Sequence, residues 1–499
     1  MGKRLICVMS ALLTLAFCSL AFAAGDTMTV AVQADIRALD PLGASDNVTA
    51  NAQLQIYENL IFIGPDGKPQ PMLAESWEQT SPTTYVYHIR QGVKFHNGDE
   101  ATAEDVKFTL DRAMGPEGFI AHSYIRDMES VDVIDRYTVQ INLKNPSTPF
   151  PLAFGESWAG IVSKRAVTEG TNQTHPIGTG PFKFVGWRKS DRLILERFDD
   201  YYGTKPDFKH LILRAIPEAS TRTIELQSGA ADVAYNIHFT DFKRIEEDPK
   251  LKLLRFPSNR NELFELNTSR PGMNDIRVRR AIKMAIDIPG LQKAVFRGVG
   301  SAPRAPISDG IQYSIAGELP LPEQDVEGAK KLLAEAGVKG LKLVMVTYEL
   351  KEYIDCATIV QSMLSDVGID LEVRVLEIGA YYDTLHKGDF DIGITAWGYN
   401  LPDASFLFER RFSSQALGTM NYSRYGNPKF DEQLFIARTT PDGPDRAKAF
   451  AEAQRMLLED LPVIPWSIGE MIVGTSAKVE NFEMCPRDVY RLWVADFKD

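Results

Sequence analysis

The sequence lacks the features of several classes of protein. No run of eighteen apolar residues occurs after residue 30, so that part of the chain predicts no membrane-spanning helix. Positive charge is in deficit, because 55 Lys and Arg stand against 67 Asp and Glu, giving a formal net charge of −12. A nucleic-acid binder shows a basic patch or stripe, so this composition argues against nucleic acid as a partner. With 44% hydrophobic and 24% charged residues, the chain has the composition of a folded soluble protein.

Motifs that carry chemistry are also absent from the sequence. There is no GxxxxGK(S/T) loop, no GxGxxG at the start of a helix and no HExxH pair. None of the seven histidines stands at the spacing of a zinc site. We therefore expect no catalytic residue, no metal site and no cofactor, and we favour binding over catalysis. A secreted hydrolase, which needs a nucleophile and a base placed together, is the alternative from a different class.

The first 23 residues have the pattern of a secretory signal. Lys3 and Arg4 form a basic start, and residues 5–20 are almost wholly apolar. Residues 21–23 (Ala-Phe-Ala) then provide the small-x-small pattern at which a signal peptidase cleaves. We therefore predict a cleaved signal peptide over residues 1–23 and an exported, soluble, periplasmic protein.

Cysteine is scarce, which bears on both anchoring and disulfides. Cys18 follows a loose lipobox, but Phe17 stands where that motif needs a small residue, so lipid anchoring is the less favoured alternative. Cys356 and Cys485 remain after cleavage, with no CxxC motif. In an oxidising compartment they either form a disulfide or are two separate buried hydrophobic residues, and we favour the second interpretation.

The hydrophobic pattern predicts both strands and helices. Alternating apolar residues indicate strands, and apolar residues three and four apart indicate helices. The predicted strands are 27–33, 84–89, 131–134, 138–143, 341–347, 371–376 and 391–396, and the predicted helices begin at Thr102 and Asp325 or cover 276–286 and 354–366. Strand–helix–strand alternation over 325–397 predicts an α/β unit with a largely parallel sheet. Because hairpin-rich segments lie elsewhere, we expect more than one lobe.

Nine segments in a fixed order point to a known family. They are LDP (39–41), MLAESW (72–77), YVYHIRQGVKFHNGDEATAEDVKFTLDRAM (85–114), PIGTGPF (176–182), Asn267 with IRVRRAIKMAID (276–287), DVEGAKKLLAEAG (325–337), GDFDIGITAWG (388–398), NPKFDEQL (427–434) and LEDLPVIPW (458–466). In this order the chain resembles the family 5 extracellular solute-binding proteins, the periplasmic components of peptide and nickel ABC importers. The resemblance extends over nearly the whole chain after the signal.

The resemblance implies a particular fold class. This is an α/β, two-lobed periplasmic-binding-protein fold of type II, similar to cluster C, with an extra subdomain inserted in lobe I. The implied boundaries are 24–265 plus 467–499 for lobe I, about 43–174 for its inserted subdomain, and 266–466 for lobe II. The chain would cross between the lobes at Glu265-Leu266 and at Trp466-Ser467, which would form the hinge.

The resemblance also implies a function. A monomeric protein of this kind encloses a small peptide or peptide-like ligand between its lobes and delivers it to the permease subunits of an ABC transporter in the inner membrane. A nickel or other metal chelate, haem, an opine or an oligosaccharide is the alternative ligand. In both cases the protein performs no chemistry of its own.

The ligand site implied by the family lies in the loop after the strand at 391–396. The candidate ligand-binding residues are Trp397, Tyr399, Asn400 and Asp403, with Asp35 at the cleft edge. In the peptide binders a Trp stacks on the ligand and an Asp three residues later holds its α-amine, whereas this chain has the neutral Asn400. Either Asp403 takes over that role or the ligand lacks a free α-amine.

Each candidate also has a purely structural interpretation. Trp397 is either a stacking platform or a lobe-core aromatic residue, and Asp403 is either a ligand contact or a helix N-cap. Asn400 can be a turn residue, and we expect a surface salt bridge for Asp35. The neighbouring pair Arg410-Arg411 either binds an anion or is solvated.

Overall fold

The computed structural model describes residues 25–116, 120–172, 174–398, 401–485 and 488–498. The predicted signal peptide and the candidate residues Tyr399 and Asn400 lie outside the described residues. Within the described part of the chain, no helix is both long enough and apolar enough to cross a membrane.

The described residues form strands and helices in mixed order along the chain. The strands are β1 (Thr27–Val32), β2 (Ile61–Ile63), β3 (Pro69–Pro71), β4 (Ala74–Ser81), β5 (Thr84–Ile89), β6 (Met128–Asp135), β7 (Thr138–Leu143), β8 (Phe182–Arg188), β9 (Arg192–Arg197), β10 (His210–Ala215), β11 (Val233–Tyr235), β12 (Leu251–Leu266), β13 (Lys342–Tyr348), β14 (Asp370–Leu376), β15 (Ile392–Gly398), β16 (Val463–Ser476), β17 (Val479–Glu480), β18 (Met484–Cys485), β19 (Val489–Tyr490) and β20 (Asp496–Phe497). The α-helices are α1 (Asn47–Ile56), α2 (Ala103–Met114), α3 (His122–Ile125), α4 (Lys164–Thr168), α5 (Ala219–Ser228), α6 (Phe242–Glu246), α7 (Ile276–Ala285), α8 (Ile288–Phe296), α9 (Val326–Glu335), α10 (Lys351–Ser365), α11 (Ile378–Lys387), α12 (Ala404–Arg411), α13 (Pro428–Thr439) and α14 (Pro444–Asp460).

One ten-stranded sheet runs through the molecule in the order β14-β13-β15-β12-β16-β11-β1-β10-β9-β8. At its centre the long strands β12 and β16 pair antiparallel, from Leu251 opposite Ser476 to Glu265 opposite Val463. The register shifts between Pro257 and Asn261, so the ladder is interrupted there. An interruption of this kind bends a strand and changes its local twist. The two halves of the sheet are therefore joined at the place where the strands bend.

The strand–helix–strand unit predicted over 325–397 is confirmed. Strand β13 pairs parallel with both β14 and β15. Helix α9 precedes β13, α10 connects β13 to β14, and α11 connects β14 to β15. The Asp325 side chain accepts a hydrogen bond from Gly328 N at 2.7 Å, as an N-cap does. Gly337 follows the last helical turn with a φ of +71°, the left-handed conformation expected at a C′ position. The predicted α/β class is therefore confirmed for this part of the chain.

The buried side chains form separate hydrophobic cores that follow the chain in blocks. One core lies between residues 42 and 161 and packs against the four-stranded sheet β4-β5-β7-β6. Two cores combine residues 28–245 with 471–495, and three others lie within residues 263–466. This grouping agrees with an inserted subdomain and two lobes, and the boundaries stay a prediction. We keep the names lobe I and lobe II for the predicted ranges.

The two cysteines after the signal lie in different cores. Cys356 is buried on α10 among side chains of lobe II, and Cys485 is buried in lobe I. Neither takes part in a disulfide. The interpretation as two separate buried residues is therefore confirmed.

Trp466, where β16 crosses towards lobe I, provides a test of this packing. Its fully buried ring stacks on Phe264 at 5.8 Å and on Phe296 at 5.4 Å between ring centroids. Its Nε1 has no hydrogen-bond partner among the described residues. We expect Trp466→Ala to lower the free energy of unfolding by about 3–5 kcal/mol. Trp466→Phe should cost less than about 1.5 kcal/mol, because it keeps a stacked ring and removes the unpaired N–H.

Urea unfolding of both variants measures this difference. Equal losses for the two substitutions would mean that ring stacking does not stabilise the crossing.

Candidate ligand-binding cleft

Trp397 lies near the end of β15 with only 2% of its surface exposed. Its Nε1 donates a hydrogen bond to Glu265 Oε1 at 3.1 Å, and its ring packs edge-on against Phe412 at 5.2 Å. The Arg411 guanidinium lies over the ring, 5.3 Å from its centroid. The structure thus places Trp397 in the lobe II core with an arginine on its face. A ligand contact for Trp397 stays a prediction.

Asp403 is the N-cap of α12, which confirms its structural interpretation. Its Oδ1 accepts a hydrogen bond from Ser405 N at 2.9 Å, and its Oδ2 forms an ion pair with Arg446. Both side chains of that pair are only 1% exposed. Because Arg446 already neutralises the carboxylate, Asp403 carries little free charge towards the cleft. Its predicted role in ligand binding is not tested by this geometry.

Asp35 follows β1 and is bound to the turn between β8 and β9. Its Oδ2 accepts a hydrogen bond from Ser190 N at 2.6 Å, and its Oδ1 accepts one from Trp187 Nε1 at 3.4 Å. Within the described ranges it forms no ion pair, so the predicted surface salt bridge is wrong. Backbone and indole donors satisfy the carboxylate because the hairpin folds over the end of β1.

A cavity of about 410 Å³ lies where β12 and β16 cross between the lobes, and we call it the hinge cavity. Lobe I contributes one wall, lobe II contributes the opposite wall, and the crossing strands form the base. Polar and charged lining residues include Gln33, Arg222, Asn236, His238, Arg260, Glu262, Glu352, Ser467, Glu470 and Asp488. A concave site walled by two lobes with a few converging polar groups is the usual form of a small-molecule site.

Most charges of the hinge cavity are already paired within the protein. Arg260 Nε donates to Glu262 Oε1 at 2.8 Å, and the Tyr353 hydroxyl donates to Glu262 Oε2 at 2.5 Å. Arg222 donates to four backbone carbonyl oxygens within lobe I. Glu470 Oε2 accepts from Gly300 N at 3.1 Å. These groups shape the cavity and leave little charge for a ligand.

Two further carboxylates, those of Asp488 and Glu352, line the hinge cavity. Asn47 Nδ2 donates to Asp488 Oδ2 at 2.9 Å. Burial raises the pKa of Asp488, although hydrogen bonds from Tyr235 and Asn47 oppose the shift. Glu352 forms no hydrogen bond or ion pair with the described part of the chain. Asp488 is therefore partly compensated by its hydrogen bonds and by the charge of Arg260, whereas Glu352 lines the cavity without a partner among the described residues.

A second cavity, of about 200 Å³, lies between the inserted subdomain and lobe II, and we call it the loop cavity. Its lining residues are Ser123, Tyr124, Gly398, Leu401, Asp403, Phe406, Leu407, Arg410, Arg411 and Met420. The two arginines contact Met420 through its sulfur and its carbonyl oxygen. Neither forms an ion pair with any described carboxylate. Since Asp403 is bound to Arg446, this end of the cleft is positive.

The two cavities meet at one pair of residues in the sheet. Arg260 lines the hinge cavity, Gly398 lines the loop cavity, and these two residues are register partners in the pairing of β12 with β15. Partners in an antiparallel pair have Cα atoms about 4.5–5.5 Å apart. The hinge cavity and the loop cavity thus have lining residues that are neighbours in the sheet.

Sequence reasoning missed the residues that give this cleft its charge at the hinge end. Arg260, Glu352 and Asp488 belong to no motif, and their separation along the chain gave no signal of their proximity. The pair Arg410-Arg411 was identified as a possible anion partner, and the structure places both at the cavity wall. Among the described residues, no group of three or more His, Cys, Asp or Glu side chains is arranged to hold a metal ion.

Comparisons with known proteins agree with this geometry. A family model described as "Bacterial extracellular solute-binding proteins, family 5 Middle" matches residues 68–419. The glutathione-binding protein GsiB of Pectobacterium atrosepticum is 27% identical over 484 residues, which cover 94% of each chain.

Solved structures are similar over the whole fold. HbpA2 of Haemophilus parasuis has a TM-score of 0.87 at 26% identity, with 95% of this chain and 100% of that chain covered. The periplasmic binding protein DppA of Helicobacter pylori, solved with the peptide STSA, has a TM-score of 0.79 at 25% identity. That comparison covers 95% of this chain and 98% of DppA. These likenesses confirm the predicted two-lobed α/β fold.

The buried pair Asp403–Arg446 generates a stability prediction. Asp403→Asn removes the charge that compensates a buried guanidinium, and breaking such a pair costs about 3–5 kcal/mol in the free energy of unfolding. Asp442→Asn is the matched control, because Asp442 also pairs with Arg446 but its side chain is 60% exposed. The control should cost less than about 1 kcal/mol. Thermal and urea unfolding measure the loss of stability in both variants. Equal losses would contradict the conclusion that Asp403 compensates the buried charge of Arg446.

Glu265 generates a prediction about pH. Burial raises its pKa from 4.5 to about 7, although Arg411 and hydrogen bonds from Thr395 and Trp397 oppose the shift. The folded protein thus holds this proton more tightly than the unfolded chain. The resulting stabilisation, about 3 kcal/mol at most, is present below about pH 4.5 and is lost as the pH rises through about 7.

Glu265→Gln should therefore flatten the fall in unfolding free energy between pH 5 and pH 8. The slope should shrink and not vanish, because burial also raises the pKa of Glu58 to about 7. Urea unfolding across that range measures the slope, with the exposed Glu75→Gln as control. An unchanged slope in Glu265→Gln would refute the prediction.

Proposed function

The chain belongs to the bacterial extracellular solute-binding proteins, family 5, and from that membership we propose that it captures a small peptide or peptide-like solute between its lobes for an ABC importer. Proteins of this family bind solutes for transport and catalyse no reaction, so the hydrolase alternative is set aside. The observation that carries the proposal is the pair of neighbouring cavities, each lined by residues of both predicted lobes and by charged side chains. Closing two lobes on a hinge encloses a ligand and changes the outer surface that a permease meets.

The relatives support a peptide-like ligand over the alternatives. One of them is named as a glutathione-binding protein, and another was solved with the peptide STSA. A peptide offers an amine, a carboxylate and a polar backbone, which suit a cleft with both signs of charge and many polar side chains. A metal chelate, haem, an opine or an oligosaccharide is not favoured by these relatives.

The proposal includes location and partners. The basic and apolar start of the sequence supports cleavage after Ala23 and export to the periplasm, where such a protein meets its permease. The proposed partners are the peptide-like solute and the permease subunits of an ABC transporter, with the protein acting as a monomer. Neither a nucleic acid nor a cofactor is part of the proposal.

Roles for the predicted site residues follow from their positions. Trp397 supports the cavity wall through Arg411, which lies on its ring. Asp403 lines the loop cavity, and Asp35 holds the hairpin that borders the end of β1. Tyr399 and Asn400 follow Gly398 in the sequence and are retained as proposed contacts.

Native mass spectrometry of the protein purified from the periplasm tests the proposal. We expect a bound mass that is released on denaturation and identified as one or more short peptides or peptide derivatives. After removal of bound material, the protein should regain such a mass from an equimolar tripeptide mixture or from glutathione.

Gln33→Trp should abolish the bound mass, because it fills the hinge cavity from the lobe I side. Gln79→Trp, on the exposed face of β4, is the matched control and should bind as the wild type does. Identification of a metal chelate, haem or an oligosaccharide in place of a peptide would contradict the proposed ligand class. Equal binding by the Gln33 and Gln79 variants would contradict the hinge cavity as the site.

A further inference from the structure

A further cavity, of about 660 Å³, lies within the predicted lobe II, and we call it the lobe II cavity. It is formed by α7, the start of α8, the segments 303–306 and 319–323, the end of α14 and the start of β16. In the described part of the chain it shares no lining residue with the hinge cavity or the loop cavity. Its volume lies in the range of small-molecule sites, about 300–1,000 Å³. The lobe II cavity is therefore large enough for a ligand of its own.

Most of the lining of the lobe II cavity is aliphatic. Leu457, Leu461 and Val463 are buried in it, whereas Leu321 is 45% exposed. Five prolines also line the cavity: Pro303, Pro306, Pro320, Pro322 and Pro465. Because proline fixes φ, these segments lose little conformational freedom when a ligand binds. The described lining contains no aromatic side chain on which a ring could stack, so it favours a hydrocarbon chain.

The lobe II cavity also carries an excess of positive charge. Its described lining contains three cations, Arg280, Lys283 and Arg304, and one carboxylate, Glu323. The chain as a whole has the opposite balance, with 67 Asp and Glu against 55 Lys and Arg. The positive lining therefore does not follow from the composition, and it favours an anionic ligand over a cationic one.

Lys283 is the least compensated of these cations. Arg280 Nη2 donates to Glu459 O at 3.2 Å, and Arg304 Nη1 lies 3.9 Å from Asp309 Oδ2. Lys283 forms no hydrogen bond or ion pair with the described residues, although its side chain is partly buried at the cavity. Burial lowers the pKa of Lys283. Since a buried ammonium without a counter-charge is unfavourable, an anion beside Lys283 is stabilising.

We propose that the lobe II cavity binds an aliphatic monocarboxylate of the fatty-acid type, with its chain against the leucine and proline walls and its carboxylate at Lys283 and Arg280. These two residues lie three positions apart on α7, so their side chains share one face of the helix. The inference goes beyond the proposed function, because it places a second ligand of different chemistry outside the cleft between the lobes.

The occupant is a free molecule with a single chain. Among the large hydrophobic residues of the described lining, Leu321 alone is exposed, so the cavity presents little apolar surface to a bilayer. Binding to a membrane surface grows with the apolar area that is buried in it. The geometry therefore favours a diffusible carboxylate over a lipid that stays in a membrane.

Calorimetry with the ligand-free protein tests this proposal, with decanoate as the probe. Octanoate shortens the chain by two methylene groups and should bind about 10-fold more weakly. Decyltrimethylammonium keeps the chain and reverses the charge, and we expect no saturable binding of it. Decanoate should leave the affinity for the tripeptide mixture unchanged, because the peptides are proposed to bind at the hinge cavity.

Variants locate the site. Lys283→Met removes the charge and keeps a chain of similar length, so it should weaken decanoate binding by about 10-fold or more. Lys293→Met, at an exposed position of α8, is the matched control and should bind as the wild type does. Leu321→Asp adds a negative charge to the lining and should also weaken decanoate binding, whereas Ile378→Asp, at a 51% exposed position of α11, should not. Melting temperatures confirm that each variant is folded.

The outcomes separate this inference from the proposed function. Equal decanoate affinities of the Lys283 and Lys293 variants would overturn the assignment to the lobe II cavity. Competition between decanoate and the tripeptides would place the carboxylate in the cleft and would also overturn it. Binding to phosphatidylglycerol vesicles without binding of decanoate would refute a free ligand. If the tripeptides do not bind while decanoate binding follows the variants as expected, the proposed function fails and this inference stands.

Discussion

The antiparallel pairing of β12 with β16 is the constraint on which the rest of the structure depends. These two strands run through the middle of a ten-stranded sheet and are the crossings between the lobes. Because each strand carries side chains of both lobes, their register sets which residues face each other across the cleft. Arg260, Glu262 and Ser467 line the hinge cavity because they lie where these strands bend. The position of the hinge cavity is therefore set by strand pairing more than by any single loop.

The buried charged residues show how the protein compensates charge that is removed from water. Asp403 is compensated by Arg446, and Arg222 is surrounded by carbonyl oxygens. Glu265 is buried beside Trp397 and holds its proton up to about neutral pH. Each buried charge thus has a counter-charge, a set of dipoles or a raised pKa.

Local sequence patterns predicted the secondary structure and the helix caps, which depend on residues close together in the chain. The three strands over 325–397, the helices α9 and α10, the N-cap at Asp325 and the left-handed Gly337 follow from periodicity and backbone preference, which act within a few residues. Helix α11 was not predicted. The family resemblance extended this to the two lobes. It did not reach the contacts that define the cleft, such as Asp488 with Asn47 or Asp403 with Arg446. Those pairs lie 441 and 43 residues apart, so only the assembled sheet brings them together.

The interrupted register in β12 has a mechanical consequence. Between Pro257 and Asn261 three residues of β12 stand opposite the single residue Gly469 of β16, and a second register shift follows between Glu262 and Leu263. Regular pairing continues outside these two positions. A pair of strands can bend at a register shift without losing the hydrogen bonds between the strands on either side of it. Opening and closing then require only small backbone rotations at a few positions, and the hydrogen bonds of each half stay intact. The two halves of the sheet can therefore rotate relative to each other as rigid bodies, with the conformational change confined to the irregular positions.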